Sequence, residues 1–169
     1  MNLMKQVSVE KVTLNIGAGK DQTKLEKGIK LINSIAGCMP IKTFTKKRIQ
    51  EWGLRPGLAI GCKLTLRDKI ALDLLKRLLE AKDNTLQPTN MDNEGNISFG
   101  ISEYIDVPGV KYDPDVGIMG FQVCITLKRK GFRIKHRALK RCAIPRKNRI
   151  KKEEAIDFMK TTFNLKIGE

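Results

Sequence analysis

Polar and apolar residues alternate through VSVEKVTLNIG, with Val12, Leu14 and Ile16 facing one way and Lys11, Thr13 and Asn15 the other. This two-residue period predicts a strand buried on one face. Val7 and Val9 fall out of phase with the later three, so a bulge or strand end is expected near Lys11. After the turn Gly17-Ala18-Gly19 the period lengthens to that of a helix over about 21–36, with Leu25, Ile29, Ile32 and Ile35 on one stripe and Gly37 as the stop. Residues 41–45 read as a short strand, and KKRIQEWGLRPG as a long loop broken by glycine and proline, with little to hold it down. In LAIGCKLTLR, Leu58, Ile60, Cys62, Leu64 and Leu66 share one face, while Ala59, Gly61, Lys63, Thr65 and Arg67 share the other. Asp68 stands where it can cap the next helix, whose stripe is Ile70, Leu74, Leu75, Leu78 and Leu79. NISFGISEYI and FQVCITLKR look like two further strands, separated by the loop DVPGVKYDPDVGIMG.

The order strand–helix–strand–strand–helix–strand–strand predicts an α+β fold, a largely antiparallel sheet with helices packed on one face. The opposite face is polar and basic in the first and third strands, and residues 1–169 are read as one domain. Residues 128–152 differ in character, with 13 Lys or Arg among 25 residues and no acid. Phe132, Ile134, Leu139, Ile144 and Ile150 punctuate that stretch, which suggests a segment packed on the domain while its charges meet phosphate. The alternative is a disordered basic arm. A last helix is expected over about 153–164, with Ile156, Met159 and Phe163 on one side.

Charge decides the class of partner. The 33 Lys and Arg outnumber the 18 Asp and Glu, a formal charge of +15 that repels itself and is best explained by a polyanion. Nucleic acid fits. A membrane does not, because no stretch is long and apolar enough to span one and no basic helix carries bulky aromatic anchors. The N-terminus lacks the apolar core of a signal peptide, so an intracellular location is expected. Cys38, Cys62, Cys124 and Cys142 are scattered singly, which disfavours zinc; Cys62 and Cys124 are read as buried thiols in apolar runs.

No motif implies catalysis, a cofactor or a small-molecule substrate. NIGAGK lacks both the early glycine of a phosphate loop, where Leu14 stands, and the hydroxyl after its lysine, where Asp21 stands. It remains a tight turn, either purely structural or offering backbone N–H groups to an RNA phosphate. The single histidine, His136, lies in the basic segment, where phosphate contact outweighs acid–base work. Aromatics make up 5% of the chain, too few for a base-stacking platform, so recognition of folded RNA through phosphates, 2′-hydroxyls and shape is expected. Trp52, surrounded by Arg48, Gly53, Arg55 and Gly57, is either a buried anchor or a ring that stacks on a nucleotide.

INSIAGCMPIKTFTKK is similar to the signature of the universal large-subunit ribosomal protein that binds 5S RNA, the L-five family. LNIGAG before it, GCKLTLR after it, and SFGISEYIDVPGVKYDPDVGIMGFQVCITLKRKG extend the resemblance over nearly the whole chain. The resemblance implies a structural constituent of the ribosomal large subunit, in the cytoplasm, that attaches 5S rRNA in the central protuberance. Its implied 5S rRNA-binding positions are Asn15, Gly17, Gly19, Lys42, Trp52, Lys63, Thr65 and Arg67. Cys38 stands where relatives often carry glutamine, so the resemblance does not carry a hydrogen bond over to this position. The loop 46–57, through Lys46, Lys47, Arg48 and Arg55, is implied to contact P-site tRNA. The segment 107–120, through Val110, Tyr112 and Asp115, is implied to bridge to a protein of the small-subunit head. The basic segment 129–152 marks the archaeal or eukaryotic branch, and Arg129, Lys130, Arg133, Lys135, His136 and Arg137 are its candidate contacts to large-subunit rRNA. Neighbouring large-subunit proteins complete the implied partners. An assembly factor or RNA chaperone that binds the same RNA transiently is the other reading, and retention on salt-washed ribosomes separates the two.

Overall fold

A computed structural model describes residues 3–168; the terminal residues that the single-domain expectation also covered lie outside the described residues. In chain order the elements are β1 (Val7–Gly17), α1 (Gln22–Ala36), β2 (Ile41–Phe44), β3 (Ala59–Leu66), α2 (Asp68–Glu80), β4 (Thr85–Leu86), β5 (Asn96–Ile101), β6 (Phe121–Arg129), α3 (Lys152–Phe163) and β7 (Lys166–Ile167). Five strands form one sheet in the order β2-β3-β1-β6-β5, every neighbouring pair antiparallel. The expected α+β class holds.

Alternation accounts for the sheet's two faces. Val12, Leu14, Ile16, Cys62, Leu64, Val123 and Ile125 are buried beneath the helices. The register between β1 and β6 shifts between Val9 and Lys11, where a bulge was expected, and Val9 thereby pairs with Leu127 and rejoins the core side. Helix α1 packs on β3 and α2 on β1. A Cβ at Gly28 of α1 would lie 3.2 Å from Ile16 Cγ2, so glycine there lets the helix sit close to the sheet. Gly37, with φ of 66°, ends the helix as its sequence position suggested.

Several positions differ from expectation. Ile29 is only half-buried and Leu31 takes its place in the core. Ile70 is 60% exposed, while Ala71 faces the sheet with Leu74, Leu75, Leu78 and Leu79. The buried set thus follows the i, i+3, i+4 row that starts one residue later. Asp68 makes no side-chain cap; it adopts φ of 58° and Arg67 occupies the cap position. The loop 46–57 is not structureless, because Ile49 and Leu54 exchange both backbone hydrogen bonds and Leu54 is buried.

The basic segment packs on the domain. Ile150 is 1% exposed, Phe132 lies partly buried against the core, and only Leu139, 83% exposed, of its five apolar residues stands away from the protein. Helix α3 follows and adds Ala155 and Met159 to the core. The chain then returns to pair β7 with β4 in parallel, an element the sequence did not disclose. Two residues are too short to show a period.

Candidate nucleic-acid interface

The face of the sheet away from the helices is open and polar. Strand register lines its residues up across the sheet: Ile41, Lys63, Asn15, Gln122 and Gly100 form one row. Thr65, Thr13, Cys124 and Ser98 form the next, and Lys11, Thr126 and Asn96 the third. The Asn15 amide donates to Gln122 Oε1 at 3.1 Å, which holds both side chains over the sheet. Short hydroxyl, thiol and amide groups let a large, flat partner approach the backbone closely.

Electrostatics favour an anion there. Glu10 is the only acid in the five strands, and it sits at the bulge of β1. Lys135 Nζ and His136 Nε2 each lie 3.0 Å from its carboxylate. Burial alone would raise its pKa, but Lys135 and His136 outweigh that and hold the carboxyl below its ordinary value.

The expected site residues fall into groups. Asn15, Lys63 and Thr65 lie side by side on the open face, with Gly17 at the end of β1 and the exposed Arg67 just beyond β3. Lys42 does not join them. It pairs with Cys62, whose side chain is in the core, so it lies on the helix side of the edge strand. Gly19 forms the expected turn, with φ of 63°, yet the N–H groups of Ala18 and Gly19 both donate to the Ile60 carbonyl, which removes them as phosphate donors. Trp52 is 66% exposed at the tip of its loop and is no buried anchor. Lys46, Lys47, Arg48 and Arg55 are exposed around it.

Register sets the larger layout. The loop 46–57 and the segment 107–120 both leave the sheet at the end where Asn15 pairs with Lys63 and Gln122. In the latter, Tyr112 and Asp115 are exposed, Val110 is half-buried, and Val107, Val116 and Met119 anchor the segment. The Tyr104 hydroxyl accepts the Asp113 N–H at 2.9 Å and braces it further. The basic segment rises at the other end. Its Arg129 is tied to Glu154, whose carboxyl is held down against burial by the Lys151 N–H and by Arg129. Lys130, Arg133 and Arg137 remain exposed, whereas Arg129, Lys135 and His136 are engaged within the protein.

Thr13 and Gln122 join the open face although neither was expected as a contact, and Cys124, expected buried, is exposed in its middle. The alternation of FQVCITLKR already sets Cys124 with Gln122 and Thr126, opposite Val123 and Ile125. No group of three or more metal-ligating side chains occurs among the described residues.

Residues 2–55 match the family model described as Ribosomal protein L5, and residues 59–158 match the model of the same ribosomal family's C-terminus. The large ribosomal subunit protein uL5 of Sulfolobus acidocaldarius is 45% identical over 168 residues, covering 99% of this chain and 94% of that protein. Its counterpart in Sulfurisphaera tokodaii is 42% identical over 170 residues, with 100% and 96% covered. That of Methanosphaera stadtmanae is 41% identical over 167 residues, with 99% of each chain covered.

Proposed function

The chain belongs to the ribosomal protein L5 family, and from that premise we propose that it is a structural, non-enzymatic constituent of the large ribosomal subunit that binds 5S rRNA on the open face of its sheet. The observation that carries the reading is the face itself: Asn15, Thr13, Lys63 and Thr65 stand together, and the one acid of the strands is covered by two basic side chains. Such a surface suits phosphates and 2′-hydroxyls of folded RNA. Attachment of 5S rRNA in the central protuberance of the cytoplasmic ribosome follows from the same reading. The loop 46–57 then reaches P-site tRNA through Lys46, Lys47, Arg48 and Arg55, and Tyr112 and Asp115 belong to a bridge to the small-subunit head. Lys130, Arg133 and Arg137, three of the exposed cations of the basic segment, turn to large-subunit rRNA.

The test is gel-shift titration of 5S rRNA with Asn15→Ala, Thr65→Val and the double variant. Each single change should weaken binding by about 1 kcal/mol, the net value of a hydrogen bond. Stability should move by less than about 0.5 kcal/mol, as for other surface changes. A double variant that binds 5S rRNA as tightly as the parent sinks the assignment of this face.

A further inference from the structure

A cleft of about 410 Å³ opens between the basic segment and the last row of the open face. Its sheet side carries Asn96 and Thr126, directly paired across β5 and β6. Phe132 and Ile144, both half-buried, give it an apolar wall. Three cations border it. Lys135 stands 5.3 Å from the centroid of the Phe132 ring and is paired with Glu10; Arg149 is paired with Glu94; Arg141 is exposed and makes no ion pair among the described residues.

We propose that this cleft takes one unstacked nucleotide of ribosomal RNA, with its base against Phe132 and Ile144, its edge toward Asn96 and Thr126, and its phosphate on Arg141. The proposal rests on the reading of the adjoining sheet face as RNA-binding and adds to it a pocket able to sense a base. The volume lies at the small end of the range of ligand pockets, about 300–1,000 Å³, which suits one nucleotide rather than a helix. The Phe132 ring, with Lys135 over one face, gives a base an aromatic surface to pack against, and an amide beside a hydroxyl offers donors and acceptors to a base edge. The single acid of the lining, Glu94, is already neutralised by Arg149, so the cleft presents net positive charge to its occupant. An acidic protein segment would match that charge, but the direct continuation of the cleft from the open face favours RNA.

Two cysteines make the test internal. Cys142 lines the cleft and Cys124 lies in the middle of the sheet face, both exposed and free. The full chain is treated with N-ethylmaleimide, alone and with rRNA extracted from large subunits, and each cysteine is followed by mass spectrometry; ultraviolet crosslinking of the same mixture maps nucleotide adducts. Alkylation of both cysteines should slow several-fold, and an adduct should appear at Phe132 or Cys142. Phe132→Leu should cut the adduct by about tenfold, the scale of one stacked base. Arg141→Glu, a change at an exposed side chain, should cut it as well if the leucine variant folds poorly. Protection of Cys124 with Cys142 as reactive as in the free protein overturns the cleft and leaves the sheet reading standing. Protection of Cys142 without any adduct in the cleft also overturns it, as does protection of Cys142 in intact subunits but not by rRNA alone, which would assign the cleft to a protein segment. Protection and adduct at the cleft with Cys124 unprotected would instead remove the sheet face.

Discussion

Gly95 shows how one residue holds the basic segment to the domain. Its φ is +78°, and a Cβ there would lie 2.8 Å from Ile150 Cγ2. Ile150 is the segment's only fully buried side chain, so Gly95→Ala both strains the backbone and pushes on the anchor. We expect a loss of about 1–3 kcal/mol in denaturant unfolding, from left-handed strain plus overpacking. An unchanged unfolding midpoint would mean that Ile150 gives way freely. The cysteines show the reverse case, in which one residue type has two fates. Burial pushes the Cys62 thiol up, away from its reactive form, while Cys124 lies exposed on the opposite face.

At the scale of the element, the basic segment and α3 are fastened by carboxylates as well as by apolar anchors. Glu10 and Glu154 are both held below the ordinary value of 4.5 despite burial, Glu10 by Lys135 and His136, Glu154 by the Lys151 N–H and Arg129. A depressed folded pKa means stability that is full above the ordinary value and is lost as pH falls through the folded one. Amide exchange corrected for intrinsic rates, compared at about pH 6 and about pH 3, should show residues 130–150 loosening before the strands do. Loosening in step with the sheet core would deny these pairs that role. The loop 46–57 is a second such element. Its backbone is closed by Ile49 and Leu54, and its cations point outward, so replacing Lys47, Arg48 and Arg55 together with alanine should leave folding intact. Crosslinking of P-site tRNA to the variant in ribosomes should drop; undiminished crosslinking would move that contact to another segment.

For the whole molecule, the charge of +15 sets the response to salt. If the bound surface engages about six to ten phosphates, affinity for 5S rRNA should fall roughly a thousandfold or more between about 50 and 200 mM salt, by analogy with duplex DNA. Filter binding across that range gives the slope directly. A flat response would mean that charge is not the main binding force, and the interface would then have to be sought in the exposed apolar side chains of the edge strand, Ile41 and Phe44.

The sequence alone determined whatever depends on period and composition. Alternation in β1 and β3 told Asn15, Lys63 and Thr65 from their buried neighbours, and the phase slip after Val9 announced the bulge. Signature stretches carry the family, and the charge excess the kind of partner. The tertiary structure decided what depends on neighbours. Lys42 and Lys63 are both lysines in strands, yet register puts one on each side of the sheet, because pairing with Cys62 rather than with Asn15 fixes the face. Arg129, Lys135 and His136 read as free side chains until folding brings Glu154 and Glu10 to them from far along the chain. The N–H groups of the glycine turn looked available until the Ile60 carbonyl arrived to accept them. A local pattern fixes which way a side chain points within its own element; which groups it meets there depends on segments brought together only by the fold.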